Sequence, residues 1–217
     1  MSAPDDLTDA TNPVHTVSTG RLEAFSDGVL AIAITLLILD VKVPLAQEGD
    51  LGRDLARQWP SYATFAVSFL IIGIMWVNHH YLFAQVGRVT RPLLFLNIGL
   101  LMTISFLPFP TALLAEYLRE DQNSHIAAAV YSITMTVIGL AFVSLWTYLS
   151  QHPELLADHS SPELVRYARS RSAIGPVVYG ATIALAFISA PACLATYVVM
   201  GVYFMVWRGR PKATESP

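Results

Sequence analysis

Six apolar stretches, at residues 21–42, 61–84, 91–115, 125–150, 172–190 and 192–207, fill most of this chain and hold few charges. Stretches of that length suit a bilayer, whose hydrocarbon core of about 30 Å is crossed by a helix of about 20 residues. Lipid offers no partner to unpaired backbone groups, so spans of this kind are helical. The chain is therefore expected to be an all-α integral membrane protein with six transmembrane helices. The last two stretches are short and meet at Ser189, Ala190 and Pro191 with no charge between them, which predicts a tight helical hairpin just under the far membrane surface. At 217 residues, with 54% hydrophobic and 13% charged, nothing remains for a sizeable soluble domain.

The flanks read differently. Residues 1–20 are polar, acidic and broken by Pro and Gly, and are expected to form a disordered cytoplasmic tail. Residues 21–208 form the membrane domain, and residues 209–217 a short cytoplasmic tail. Orientation follows from the basic residues. With the N-terminus inside, Arg21, Arg88, Arg91, Arg166, Arg169, Arg171, Arg208, Arg210 and Lys212 face the cytoplasm, against Lys42, Arg53, Arg57 and Arg119 outside. The acidic Glu116, Glu120 and Asp121 lie beside the last of these. That asymmetry favours both termini inside and a multi-pass protein, in the cell inner membrane if the source is bacterial. Between the first two spans, Leu51, Leu55 and Trp59 recur every four residues among Asp50, Arg53, Asp54 and Arg57, the pattern of a short amphipathic helix lying at the interface.

Several classes are excluded. The net charge of −3 comes with no run of Lys or Arg, so nucleic acid is not a partner. Cys193 is the sole cysteine and cannot build a disulfide or a cysteine metal site within one chain. His79 and His80 are adjacent and point about 100° apart on a helix, which rules out a shared metal. No HExxH, GxSxG or phosphate-binding glycine loop occurs, so neither an enzyme nor a cofactor is expected.

The first span holds the densest chemistry. Arg21, Glu23, Ser26 and Asp27 occupy the first two turns of an otherwise apolar helix, where charges are costly and need partners. At about 100° per residue, Arg21, Phe25, Gly28, Ile32, Leu36 and Leu39 share one stripe with Thr35 at its border. Asp27, Ala31, Ile34 and Ile38 fall roughly opposite. Under the inferred topology Asn78, His79 and His80 end the second span and Asn97 begins the third, all at the depth of Arg21 to Asp27. A hydrogen-bonded cluster pinning the first helix to the second and third is expected, with gating or proton sensing as a rival role for its histidines.

The block RxxxFSDG at Arg21 to Gly28, followed by AIAITLLILDVKVP, resembles the signature of the transmembrane protein 175 family of endosomal and lysosomal potassium channels and their bacterial relatives. WVNHH at Trp76 to His80 and Asn97 support the likeness. The motif occurs once, as in the bacterial single-repeat form. The resemblance implies six helices per repeat, a homotetramer whose first helices line a central pore, and no TVGYG-type carbonyl filter. It places an apolar constriction at Ile32, Leu36 and Leu39, with the Thr35 hydroxyl as a polar layer. It implies a structural polar cluster of Arg21, Phe25, Ser26, Asp27, Trp76, Asn78, His79 and Asn97. Potassium is then the permeant ion, and the partners are further copies of the chain and the lipid bilayer. An apolar ring passes ions only when it hydrates or widens. A proton-coupled or proton-conducting transporter using Asp27 and the histidines is the alternative, although the chain lacks an inverted repeat.

Overall fold

A computed structural model describes residues 19–44, 50–118 and 123–206. The tail readings for residues 1–18 and 209–217, and the charges Arg119, Glu120, Asp121, Arg208, Arg210 and Lys212, lie outside the described residues. The described residues are helical apart from short connections and one isolated β-bridge between Val86 and Leu156. In chain order the α-helices are α1 Thr19–Leu36, α2 Leu51–Arg57, α3 Trp59–Phe83, α4 Arg91–Ser105, α5 Pro108–Tyr117, α6 Asn123–Gln151, α7 Pro162–Ser172, α8 Ile174–Ala186 and α9 Ala190–Val206. A 3-10 turn, Leu37–Asp40, continues α1, and another spans Pro153–Leu155.

Four units are long and apolar enough to cross a membrane: Thr19–Asp40, Trp59–Phe83, Arg91–Tyr117 and Asn123–Gln151. Helices α8 and α9 are shorter, at 13 and 17 residues. The third unit is not the single helix that its hydropathy suggests. It breaks at Phe106 and Leu107, and Pro108 starts α5, because a proline lacks the N–H that would extend α4 and is tolerated in a first helical turn.

Helix α7 is an amphipathic helix within a stretch where no helix is expected from hydropathy. Its start has a local cause: the Ser161 side chain accepts a hydrogen bond from the Leu164 N–H at 3.2 Å, and Pro162 occupies the first turn. Helix α2 forms where the amphipathic pattern places it, and none of its residues is buried.

Helix α6 is the hub, packing against α4, α5, α7, α8 and α9, while α3 packs against α1, α5 and α9. Small residues let helices approach closely in lipid. A Cβ added at Gly139 of α6 would lie 2.8 Å from Pro176 Cδ of α8. Gly139→Val is therefore expected to cost about 1–3 kcal/mol by overpacking, read as a lower thermal transition of the detergent-purified protein. An unchanged transition would show that the α6–α8 crossing is looser than drawn.

Hydroxyl groups stitch the interior. Ser68 and Tyr131 hydroxyls lie 3.0 Å apart, and Thr111 donates to Ser68 at 2.9 Å, joining α3, α5 and α6. Ser132 and Tyr197 hydroxyls lie 2.6 Å apart, and Thr182 donates to Ser132 at 3.0 Å, joining α6, α8 and α9. Such pairs satisfy polar groups that lipid would leave stranded.

The loop after α3 docks on the loop after α6. Leu155 O accepts from the N–H groups of Gly87 at 2.8 Å and Arg88 at 3.2 Å, and Ser160 Oγ donates to Gln85 Oε1 at 2.7 Å. A Cβ at Gly87 would sit 2.8 Å from Leu156 O, so only glycine allows this approach. With Trp76 bonded to Asp27, Arg21, Arg88, Arg91, Arg166, Arg169 and Arg171 all gather at one end of the bundle.

Candidate functional site

Helix α1 divides into one face covered by its own chain and a broad face left open. Leu22, Ser26, Leu30, Ala33 and Leu37 are buried, at steps of four, four, three and four. These steps follow the helical period and pack against α3 and α4. Ile32 is 62% exposed and Leu39 71%, and Phe25, Gly28, Thr35 and Leu36 are exposed beside them. Leu30, two residues before Ile32, is 2% exposed. Asp27, Ala31 and Ile38 are exposed too, so the side expected opposite the stripe is a second open flank and not the packed face. The reason is angular: residues offset by about 100–140° from the stripe lie between it and the packed row.

The exposed stripe carries one oriented polar group. Thr35 Oγ donates its proton back to the carbonyls of Ala31 and Ile32, both at 2.9 Å. Its lone pairs are thereby left on the exposed side as acceptors. A cation needs oxygen acceptors of this kind, and the flanking Ile32 and Leu36 offer none. Gly28 has open space where a Cβ would stand. Beyond Leu36 the 3-10 turn brings three residues to a full turn, which sets Leu39 in register with Leu36.

At the basic end, three side chains form a one-way chain of donors that ends on a backbone carbonyl. His79 Nε2 donates to Asn97 Oδ1 at 2.9 Å, Asn97 Nδ2 donates to Ser26 Oγ at 3.0 Å, and Ser26 Oγ donates to Leu22 O at 2.9 Å. His79, Asn97 and Ser26 are buried, so α1, α3 and α4 are tied through groups with no access to water. The amide oxygen of Asn97 only accepts, so the His79 proton sits on Nε2. The ring of Phe83 packs 4.5 Å from that of His79.

The rest of the expected cluster separates. Trp76 Nε1 donates to Asp27 Oδ1 at 2.8 Å on the open flank, where Trp76 also stacks on His80 at 6.4 Å. His80 reaches Glu23 only at 3.8 Å. Phe25 points outward. Arg21 is exposed and makes no ion pair or hydrogen bond among the described residues. Asn78 does not join His79 and Asn97; it lines a lateral cavity between α3, α6, α8 and α9. One residue along a helix turns the side chain by about 100°, which moves Asn78 to a different neighbour.

Asp27→Ala and Arg21→Ala are expected to differ. The first leaves the Trp76 indole N–H without its partner and lowers the yield of folded chain by an amount set by an exposed bond, under about 1 kcal/mol. The second removes no bond within the chain, so any fall in oligomer on crosslinking in membranes, with unchanged monomer stability, reports contacts between copies. A drop in monomer stability for Arg21→Ala would mean it serves its own bundle.

Fold and site define a multi-pass α-helical membrane protein with a polar knot behind one long, uncovered helix face. Residues 21–108 match the family of the endosomal/lysosomal potassium channel TMEM175. A potassium channel of Streptomyces collinus is 54% identical over 186 residues, covering 85% of this chain and 90% of that protein. The crystal structure of a lysosomal potassium-selective channel TMEM175 homolog from Chamaesiphon minutus superposes with a TM-score of 0.77 at 40% identity, covering 87% of this chain and 96% of that one. The endosomal/lysosomal proton channel TMEM175 of Gallus gallus is 36% identical over 145 residues, 63% of this chain and 29% of that protein. The chain belongs to the TMEM175 family.

Proposed function

We propose that this chain is a potassium channel that assembles as a ring of four, with the exposed stripe of α1 facing the axis. The observation that carries this reading is the exposure pattern of α1. A helix lining the axis of a ring needs one face for its own bundle, one for the conduction path and one for the next subunit. Leu22 to Leu37 supply the first, the stripe from Gly28 through Ile32 to Leu39 the second, and the flank with Asp27, Ala31 and Ile38 the third. The relatives in Streptomyces collinus and Chamaesiphon minutus support potassium as the permeant.

On this reading Ile32, Leu36 and Leu39 form stacked apolar rings, which oppose conduction by excluding water until they hydrate. The Thr35 hydroxyl oxygens, their protons turned back into the helix, form a ring of acceptors between them. Helices α8 and α9 complete six spans, and the arginine-rich end faces the cytoplasm of an inner membrane with both termini there.

The test is flux from proteoliposomes holding the full chain. Potassium efflux is expected to exceed sodium efflux and to rise without saturating as the gradient grows, from protein that light scattering and crosslinking show as a tetramer. Proton conduction is the second reading, favoured by the Gallus gallus relative and by the buried His79 chain. Saturable flux driven by a pH gradient, or a monomer in membranes, would displace the channel reading.

A further inference from the structure

A cavity of about 100 Å³ opens between α3, α6, α7, α8 and α9 at the arginine-rich end of the bundle. Most of its wall is apolar, from residues such as Ile71, Ile74, Met135, Ile138 and Phe142. Its polar lining is concentrated in Asn78, Tyr81, Arg171 and Ser172. Arg171 is a charged side chain only 8% exposed, and its guanidinium lies over the rings of Tyr203 at 5.0 Å and Phe204 at 5.5 Å. Those two α9 rings hold the cation against the cavity wall. A second, almost wholly apolar compartment of about 60 Å³ runs along α3 and α9. It shares Ile71, Ile74 and Gly201 with the first, so the two lie side by side along the same face of α3 and α9.

We propose that this groove binds one anionic phospholipid of the leaflet at the arginine-rich end, its phosphate at Arg171 and one acyl chain along the α3–α9 compartment. A fixed cation at one end of a narrow apolar slot matches an amphiphile with a negative head and a long tail. The shape excludes a bare polar anion as the full occupant, because the second compartment offers it no donors. Basic pockets between spans on the cytoplasmic side suit anionic head groups. Asn78 and Ser172 line the same cavity and can supply neutral donors, while a guanidinium pairs with phosphate through parallel N–H groups. Gly201 borders both compartments, and a Cβ there would meet only Ile74 Cδ1, at 3.6 Å in ordinary contact. The site is separate from the α1 stripe and does not depend on which ion passes.

The experiment is native mass spectrometry of the full-length protein released from detergent, titrated with phosphatidylglycerol, with phosphatidylcholine of the same chains, and with inorganic phosphate. Wild type is expected to retain phosphatidylglycerol over phosphatidylcholine by about tenfold or more, the scale of one charge-assisted pair. Arg171→Gln is expected to abolish that preference and Arg171→Lys to keep part of it, while Gly201→Leu lowers retention of both lipids. Gly201→Leu and Arg171→Lys carry the test if Arg171→Gln does not fold. Equal retention of the two lipids by wild type overturns the proposal, as does a preference that survives in all three variants. Thermal stabilisation by inorganic phosphate equal to that by phosphatidylglycerol assigns the site to free anion and overturns the lipid. Loss of oligomer in Gly201→Leu with lipid retention intact assigns the groove to a second copy of the chain, which also overturns it.

Discussion

Ile32→Asn raises cation flux and weakens the preference for potassium over sodium. The side chain is 62% exposed on the stripe assigned to the axis, so in the proposed ring the substitution places amides in one of its apolar layers. An amide binds water, lowers the cost of wetting that layer, and allows partly hydrated sodium to follow potassium. Leu30→Asn, two residues away, gives the opposite result. Leu30 is 2% exposed against its own bundle, and an amide there is buried without a partner at about 1–3 kcal/mol per chain. Yield of the assembled form falls and flux per assembled channel does not rise. Liposome flux normalised to correctly assembled protein separates these outcomes. If Ile32→Asn leaves flux unchanged while Leu30→Asn alters selectivity, the wrong face of α1 has been assigned to the pore.

Asn97→Leu is expected to be the most damaging single change among the polar residues. Asn97 is the middle link between His79 and Ser26, and all three are buried. Replacing it leaves the His79 N–H and the Ser26 oxygen unpaired, about 1–3 kcal/mol for each stranded group. A marginally stable bundle loses most of its folded population at that cost. Asn78→Leu is the matched control, since Asn78 is half-buried beside the lateral cavity and belongs to no part of this chain of donors. Its effect on the thermal transition of purified protein is expected to stay under about 1 kcal/mol. Equal losses in the two variants would mean that packing, and not the donor chain, holds α1 in place.

What the amino acids disclose in advance depends on how local the cause is. The stripe of α1 is legible because the side chains of one helix obey a fixed period, and Ile32, Thr35, Leu36 and Leu39 stand on one exposed side in the structure. The period alone does not separate lipid, subunit and axis: it sets Ala31 and Ile38 roughly opposite the stripe, whereas Leu22, Leu30 and Leu37 form the packed face. Ser26, His79 and Asn97 share a depth in the membrane, which topology reveals. Asn78 shares that depth yet turns away, because partner choice follows the packing of α6, α8 and α9 around it. Helix α7 was readable from Ser161-Pro162-Glu163 but is masked by a low apolar content. The break at Pro108 was readable from the proline itself, whereas the 3-10 winding of Leu37–Asp40 has no residue signal of its own.

The α8–α9 hairpin imposes a condition on the bilayer itself. Helices of 13 and 17 residues are about 20 Å and about 26 Å long, short of a hydrocarbon core of about 30 Å, whereas α6 with 29 residues reaches about 44 Å. Where α8 turns into α9, Ser189 Oγ accepts from the Ala192 N–H at 3.3 Å, and the N–H groups of Ile188 and Ser189 both bond to Leu185 O at 2.9 Å, so the turn satisfies much of its own backbone. One side of the molecule is thus hydrophobically too thin while the hub is too long and must lean or protrude. If α8 and α9 cross the membrane as proposed, lipid next to the hairpin compresses by several ångströms to match them, at a fraction of a kcal/mol for each. On that reading, bilayers of short acyl chains hold the hairpin with less distortion than thick, ordered ones.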